Sequence, residues 1–276
     1  ETTDRRVMSW AGWFFAYLGL GAFAGFFAGL LGIGGGAVVV PVLVMMFAAQ
    51  GFPDAHFMHL VLGTSMATII FTSISSMRAH HQHRAVNWAV VKTISPGIIV
   101  GTLLGAQLAS HVATRPLAIF FAAFMTYVAM QMIINAKPSP ARELPGWLGM
   151  LMSGLGIGGI SAMAAVGGGS LTVPFLLWCN VKMHEAIGTS AAVGLPIALA
   201  GSVGYMVSGY GASGLPAGSV GFIYLPALAG TVLASTLVAP FGARLAHRLP
   251  VATLKKIFAS VILLLLAKML HGLFSH

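Results

Sequence analysis

Charged side chains are scarce in this chain of 276 residues. It contains five acidic and fourteen basic residues, so that charged residues make up 7% of the sequence and hydrophobic residues 58%. Since a soluble domain carries about 25% charged residues, an ordinary soluble enzyme and a disordered chain are excluded. The bases stand singly or in small groups between apolar runs, which excludes a nucleic-acid-binding face and is typical of a polytopic membrane protein.

Cysteine and membrane-embedded carboxylates are also lacking. The single cysteine, Cys179, excludes a disulfide framework and a cysteine-based zinc site. The acids fall near or beyond the ends of the apolar segments: Glu1, Asp4, Asp54, Glu143 and Glu185. Cation carriers and proton relays depend on carboxylates within the membrane, so their absence favours an anion or a neutral solute. No nucleophile is paired with a base, and the sequence therefore predicts that the protein is not an enzyme.

Ten apolar segments run along the chain. A helix needs about 20 apolar residues to cross a membrane, and these runs are too long and too unbroken for the strands of an outer-membrane barrel. The sequence therefore predicts an all-α, polytopic helical membrane protein, with segments at residues 10–31, 34–50, 57–77, 87–109, 116–135, 146–165, 168–179, 186–208, 219–241 and 253–273. The first segment follows Arg5 and Arg6 but is too long for a signal peptide, so we expect it to remain as a helix.

The basic residues indicate an orientation. If all ten segments cross the membrane, ten of the fourteen bases fall on one side: Arg78, Arg84, Lys92, Lys137, Arg142, Lys182, Arg244, Arg248, Lys255 and Lys256. Because basic loops face the cytoplasm, we expect this side to be cytoplasmic and both termini to lie outside. If the two short segments were instead closed hairpins on one face, the loop 244–256 would lie opposite Arg78 and Arg84. We favour the first arrangement.

The sequence consists of two similar halves. Three motifs recur in the same order: Gly34–Pro41 matches Gly167–Pro174, His59–Ser65 matches His184–Ser190, and Gly105–Ala109 matches Gly242–Ala246. Each half holds five segments, an odd number, so the two repeats are predicted to have inverted topology, as in many transporters. The predicted domains are a first transmembrane repeat at 1–135, a cytoplasmic linker at 136–145 and a second transmembrane repeat at 146–276.

The glycine motifs are expected to interrupt helices inside the membrane. The twelve residues of segment 168–179 reach about 18 Å, short of the roughly 30 Å hydrocarbon core, so short broken helices are predicted at both motifs. Free N–H groups and the positive dipole end at such a helix start suit an anion. The predicted anion-binding glycines are Gly34, Gly35, Gly36, Gly167, Gly168 and Gly169. The alternative is that they only allow close helix packing or a turn.

The Gly-Thr-Ser triplets supply the second set of candidate ligands: Thr64, Ser65, Thr189 and Ser190. Ser65 lies about 12 Å into its helix and Ser190 about 10 Å into its own, entering from the opposite face. Hydroxyls there can donate hydrogen bonds to an anion without a buried charge, and the repeat predicts similar contributions from both serines. The alternative is that these hydroxyls bond to carbonyls of their own helices.

Histidines form the third candidate group. His80, His81 and His83 follow one another in a predicted cytoplasmic loop. Their spacing resembles that of a metal cluster, but we predict no metal site and no cofactor, and His80 is the candidate for gating or proton coupling. His59 and His184 stand one turn before their triplets, where they serve either proton coupling or the capping of helix ends.

Several of these motifs resemble those of a known family. Several runs are similar to the sulfite exporter TauE/SafE family over nearly the whole chain: Gly29–Gly36, Pro41 and Gly63–Ser65 with their second-half copies, and Ser75, Ser76 and His80 followed by Val86 and Trp88. The resemblance implies a multi-pass secondary carrier of the bacterial inner membrane for sulfite, organosulfonates or related oxyanions. Its partners would be a small anionic substrate and the lipid bilayer, without nucleic acid. Whether the chain forms a homo-oligomer is left open.

Two other interpretations remain at this point. One is a non-transporting membrane protein, such as an assembly factor or a sensor, although glycines and hydroxyls placed inside the membrane argue against a mere scaffold. The other is a channel for small solutes, which requires a continuous wetted path. A channel differs from a carrier in that its transport does not saturate.

Overall fold

Ten α-helices account for most of the residues that the structure describes. The computed structural model describes residues 9–31, 35–134, 142–246 and 251–274. Within them the helices are α1 Trp10–Leu31, α2 Gly36–Ala49, α3 Phe57–Gln82, α4 Trp88–Ser110, α5 Thr114–Ile134, α6 Trp147–Ala164, α7 Gly169–Trp178, α8 Met183–Ser208, α9 Leu225–Ala246 and α10 Val251–Phe274. A 3₁₀ turn at Asp54–His56 precedes α3, and two antiparallel strands, β1 Ser219–Val220 and β2 Ile223–Tyr224, precede α9.

The helix lengths confirm the prediction of a polytopic helical membrane protein. Among the described residues, seven helices are long and apolar enough to cross a membrane, namely α1, α3, α4, α5, α6, α8 and α9. The apolar helices that follow the two glycine motifs are shorter, with 14 residues in α2 and 10 in α7. At 1.5 Å per residue they reach about 21 and 15 Å, less than the roughly 30 Å of a hydrocarbon core. The prediction of short helices at these motifs is therefore also confirmed.

Two predicted boundaries are wrong. The predicted segment 219–241 begins with the β-hairpin, and the helix starts only at Leu225. The reason is the backbone of Gly218 and Gly221, whose φ angles of +89° and +54° are incompatible with a right-handed helix. The other error concerns α3, which continues beyond the predicted end at 77 to Gln82. His80 and His81 therefore lie in its last turn and not in a loop.

The predicted linker 136–145 falls largely outside the described residues. Only residues 142–145 are described, and they form no helix or strand. The division of the chain into two repeats joined by this linker stays a prediction.

Helices α3 and α8 form the centre of the bundle. In their most apolar windows 83% and 72% of the residues are buried, against 50% or less in the other candidate spans. The two helices are antiparallel, as two contacts show: Gly194 of α8 lies against Ser73 of α3, and Gly201 lies against Met66. Large apolar side chains on the outer helices are exposed, as a lipid-facing surface requires: examples are Leu104, Leu108, Ile134, Leu237 and Leu264.

Two further helix pairs pack backbone to backbone through glycines. In the pair α1 and α9, a Cβ on Gly21 would collide with the backbone of Thr231. In the pair α4 and α6, a Cβ on Gly154 would meet the carbonyl oxygen of Ile94. Small residues at such contacts let membrane helices approach closely. Each pair joins the first helix of one half to the fourth helix of the other, so the halves are interleaved.

These glycine contacts occupy equivalent positions of the sequence repeat. Gly21 and Gly154 are separated by the same number of residues as the two glycine motifs, and Thr231 and Ile94 by the same number as Gly242 and Gly105. One turn further on, Gly25 lies against Ser235 and Gly158 against Ile98 in the same relation. The two halves therefore make matching contacts with each other.

Candidate functional site

The two glycine motifs each interrupt a helix inside the bundle. In the first half α2 begins at Gly36, and the preceding Gly35 has a φ of +77°. In the second half α6 ends in a left-handed residue, Ala165 with φ +44°, and α7 begins at Gly169. The backbone of Gly35 favours glycine because side chains are rarely tolerated at positive φ. Gly34, also predicted to bind the substrate, lies outside the described residues.

The two interruptions meet each other and the central helices. A Cβ on Gly36 would collide with the carbonyl oxygen of Ala165 and lie 3.0 Å from Cδ1 of Ile69 in α3. A Cβ on Gly168 would lie 2.5 Å from the carbonyl oxygen of Ser190 in α8. Glycine is therefore needed at both positions for the backbones to come together.

The first turns of α2 and α7 present backbone N–H groups to this region. The amide of Val38 bonds to the carbonyl of Gly35 at 3.0 Å, and the amide of Thr172 to that of Gly168 at 2.8 Å. The N–H groups before them have no acceptor within their own helix, as at every helix start. Gly167 is buried beside them. Buried helix starts of this kind can bind an anion.

The threonine of each Gly-Thr-Ser triplet accepts a hydrogen bond from the residue that precedes a helix of the other half. The backbone N–H of Tyr224, directly before α9, donates to Oγ1 of Thr64 at 2.9 Å. The backbone N–H of Asn87, directly before α4, donates to Oγ1 of Thr189 at the same distance. Asn87 also caps α4, because its side chain accepts a hydrogen bond from the amide of Val90. Both hydroxyl oxygens are thus engaged with backbone.

The triplet glycines make these cross-half hydrogen bonds sterically feasible. A Cβ on Gly63 would collide with the carbonyl oxygen of Phe222, and one on Gly188 with that of Ala85. Phe222 and Ala85 each lie two residues before the amide that the neighbouring threonine binds. Each triplet therefore binds the short segment that leads into a helix of the other half, residues 222–224 before α9 and residues 85–87 before α4. The sequence motif alone does not reveal this role.

The two serines of the triplets differ. Oγ of Ser190 donates to the carbonyl of Ile187 in its own helix at 2.8 Å. Ser65 is fully buried, and its Oγ has no hydrogen-bond partner within the described part of the chain. Ser65 therefore retains a donor for a ligand, whereas the donor of Ser190 is already used.

Two more buried hydroxyls lie in the first turn of α7. Oγ of Ser170 and Oγ1 of Thr172 are buried, and neither has a hydrogen-bond partner among the residues that the structure describes. Sequence reasoning missed both residues. A signal was present, since they occupy the positions that hold Ala37 and Val39 in the first copy of the motif, and hydroxyls replace apolar side chains there.

Comparison with known proteins assigns the family. The model of the sulfite exporter TauE/SafE family matches residues 17–269 of this chain. The chain belongs to this family. A probable membrane transporter protein of Haemophilus influenzae is 37% identical over 242 residues, which cover 87% of this chain and 91% of the relative. The Bacillus subtilis probable membrane transporter protein YunE is 26% identical over 278 residues, covering 93% and 97%. No solved structure matches the chain.

The histidines of this TauE/SafE family member lie at different depths. His59 is buried at the start of α3, where its Nε2 is 3.1 Å from the carbonyl oxygen of Ala109 and its ring packs on Phe222. His184 is exposed in the first turn of α8. His80 is 4% exposed in the last turn of α3. Within the described residues, no three His, Cys, Asp or Glu side chains are grouped closely enough to hold a metal ion.

Proposed function

We propose that this chain is a secondary transporter that carries a small sulfur-containing anion across the bacterial inner membrane. Membership of the family and the names of its relatives support transport across a membrane. The family's description as a sulfite exporter supports sulfite, an organosulfonate or a related oxyanion as the substrate. The excess of bases in the loops on one side supports a cytoplasmic membrane with that side inside.

The proposed site lies where the two glycine interruptions meet, near the middle of the membrane. The observation that carries the proposal is the contact of Gly36 with the end of α6 and of Gly168 with α8, which brings two helix starts together. Ser65 lies one helical turn before Ile69, whose side chain contacts Gly36, and its hydroxyl is a donor. Helix-start N–H groups and hydroxyls suit the oxygens of a sulfonate or sulfite better than a cation.

The candidate residues divide into two roles in this proposal. Backbone N–H groups of the glycine motifs and the hydroxyl of Ser65 bind the anion, together with the hydroxyls at the start of α7. Thr64 and Thr189 act as positioning residues, since their oxygens already accept hydrogen bonds from the starts of α9 and α4. Ser190 contributes its backbone position beside Gly168.

Inverted topology of the two halves is part of the proposal. It is supported by the matching contacts between them, in which α1 packs on α9 as α6 packs on α4, and by the opposite directions of α3 and α8. Repeats of this kind transport by rocking of one unit against another around a central site. The site between α3 and α8 is where such a motion would alternate access.

Flux in proteoliposomes tests this function directly. Labelled sulfite, methanesulfonate and dimethyl sulfone are compared, the last being an uncharged molecule similar to methanesulfonate in size. We expect saturable uptake and counterflow of the two anions and little flux of the sulfone. Preference for the sulfone would contradict an anion site, and flux that does not saturate would indicate a channel. Absence of flux for all three, with correctly folded protein, would contradict transport of these solutes.

A further inference from the structure

Helix α3 carries a row of buried polar side chains between the glycine interruptions and its C-terminal end: Thr72, Ser73, Ser76 and His80. Their exposed fractions lie between 1% and 4%. Since residues three or four apart share a helix face, the row follows one side of α3 for about 10 Å from Ser73 to His80.

The row begins at the second glycine interruption. A Cβ on Gly194 of α8 would lie 2.8 Å from Oγ of Ser73 and 3.5 Å from the amide nitrogen of Gly168. The hydroxyl of Ser73 and the start of α7 therefore flank the same glycine. This contact connects the polar row to the site at which we expect the anion to bind.

Ser76 lies in the middle of the row. Its Oγ is buried and has no hydrogen-bond partner in the part of the chain that the structure describes. Buried polar groups in proteins are nearly always hydrogen-bonded, so such a group needs an explanation. A path that water and substrate enter would give this hydroxyl its partner.

The equivalent stretch of α8 is mostly apolar, and the hydroxyl of its one serine, Ser202, donates to the carbonyl of Ala198 in the same helix at 2.7 Å. The repeat pairs Thr72 with Ile197, Ser73 with Ala198, Ser76 with Gly201 and His80 with Tyr205. The space beside Gly201 is filled by Met66 of α3, whose Sδ lies 2.9 Å from the position of a Cβ on that glycine. The hydroxyl of Tyr205 donates to the carbonyl of Ala162 at 3.0 Å, which ties α8 to α6.

The residues that pack against the two stretches differ in size. Gly194 lies against Ser73 of the polar row, whereas Met66 lies against Gly201 of the α8 stretch. The repeat pairs Gly194 with Ile69 and Met66 with Ala191, so each of these contacts joins a small residue to a position whose repeat equivalent differs in size. The two sides differ in both polarity and packing, although they are related by the repeat.

The polar row ends near a basic end of the bundle. Arg78 and Arg84 at the end of α3 and Lys182 before α8 are exposed there. The nearby acid, Glu185, accepts a hydrogen bond from Nδ2 of Asn87 at 2.7 Å. Because a surface of one charge sign raises the local concentration of the opposite ion, this end favours the approach of an anion.

We propose that Ser73, Ser76 and His80 line the access route by which the anion reaches the glycine interruptions from the end of α3, and that Met66 and Tyr205 seal the opposite side. This inference rests on the proposed anion transport and adds the direction from which the substrate enters in this conformation. The route is one-sided because the repeat has Ser73, Ser76 and His80 on one side, while on the other side the space beside Gly201 is filled by Met66.

Thiol labelling of single-cysteine variants tests the route. Ser73→Cys and Ser76→Cys are made in a Cys179→Ser background, with Ala198→Cys as the control that the repeat matches to Ser73. Sealed vesicles of either orientation are treated with an impermeant methanethiosulfonate that carries a sulfonate group. Since the labelling rate follows the population of conformations that expose the thiol, we expect both serine variants to react from the α3-end face about tenfold faster than Ala198→Cys reacts from the other face.

The outcomes separate this route from the transport function itself. Excess methanesulfonate should slow the labelling of Ser73→Cys if the route leads to the anion site. Equal rates for Ser73→Cys and Ala198→Cys, or labelling of both serine variants only from the opposite face, would overturn the proposal. The two serine variants are independent, so failure of one to fold leaves the other as the test. One-sided labelling without methanesulfonate flux in proteoliposomes would support the route while contradicting the proposed transport.

Discussion

Hydroxyl groups at equivalent positions of the two halves have different environments. The sequence identifies both Gly-Thr-Ser triplets from their duplication and predicts similar contributions from Ser65 and Ser190. The structure separates the two serines, because only Ser190 donates to a carbonyl of its own helix. In the structure, both threonine hydroxyls also accept hydrogen bonds from backbone amides of the opposite half. The sequence could not predict these contacts, since the partner amides lie about a hundred or more residues away along the chain.

Loss of the Ser65 hydroxyl should weaken anion binding more than loss of the Ser190 hydroxyl. A hydrogen bond to a charged group contributes about 1.5–3 kcal/mol, which corresponds to a roughly 10–150-fold change in affinity. We expect a loss of this size for Ser65→Ala and a smaller one for Ser190→Ala, measured as the Kd of methanesulfonate for purified protein. Equal affinities for Ser65→Ala and the parent would remove Ser65 from the site.

Replacing either triplet threonine should lower the stability of the protein. Thr64→Val and Thr189→Val keep the shape of the side chain but leave a backbone amide without its acceptor. The cost is about 1–3 kcal/mol for the buried amide of Tyr224 and less for the part-buried amide of Asn87. Thermal unfolding in detergent should show a lower midpoint for both variants. Thr126→Val is the control, since Thr126 bonds only to a carbonyl of its own helix in the contacts that the structure gives it. Midpoints equal to that of the control would contradict the positioning role.

The hydropathy of the sequence predicts where the helices lie, but it misplaces helix ends where apolar residues are not helical or polar residues are. The ten predicted segments correspond to the ten helices of the described chain. The predicted segment includes the hairpin before α9 because the hairpin residues, among them Val220, Phe222 and Ile223, are as apolar as those of a helix. The predicted segment ends before the end of α3 because Arg78 and His80 are polar, although polar residues continue a helix readily. Apolar character marks burial or lipid contact, and backbone geometry decides the element.

The short helices depend on glycine where their starts meet the rest of the bundle. Gly36→Ala and Gly168→Ala would place a methyl group against the backbone of Ala165 and of Ser190. We expect both variants to insert and fold but to lose most methanesulfonate binding and flux, because the helix starts move apart. Gly156→Ala is the matched control in α6, where no described atom beyond the neighbouring backbone of its own helix lies within 4 Å of the added group.

The Gly156→Ala control distinguishes a specific effect at the helix starts from a general effect of replacing glycine. Alanine is favoured over glycine in a helix interior by about 0.5–1 kcal/mol, so Gly156→Ala should be at least as stable as the parent and equally active. Unchanged binding and flux in Gly36→Ala and Gly168→Ala would show that these glycines have no part in the site. A loss of activity in Gly156→Ala would show that the assay responds to any glycine replacement.

The whole molecule consists of two interleaved halves, which the sequence only partly predicts. Duplication of the motifs gives the number and order of the helices in each half. It does not reveal that the first helix of each half packs on the fourth helix of the other, since these contacts depend on the shapes of glycine-rich faces brought together only in the fold. Gly21 and Gly154 lie on such faces. Only the structure shows that Gly21 packs against Thr231 and Gly154 against Ile94.

If the two halves have inverted topology, α3 and α8 have opposite orientations in the membrane, and this can be measured. The two helices run in opposite directions, so Gln82 at the end of α3 and Tyr210 after the end of α8 should face opposite sides. Both side chains are exposed, Tyr210 to 89%. The basic residues Arg78 and Arg84 near Gln82 predict that its side is the cytoplasm.

Single cysteines at these two positions test the inverted topology. In the Cys179→Ser background, an impermeant maleimide applied to intact cells should label Tyr210→Cys and leave Gln82→Cys unlabelled until the membrane is opened. The cysteine-free parent must remain unlabelled in both conditions. Labelling of both variants in intact cells would contradict the inverted repeat, because two helices that end on the same face cannot be related by an axis in the membrane plane. Labelling of Gln82→Cys alone would keep the inverted repeat but reverse the orientation that the basic loops predict.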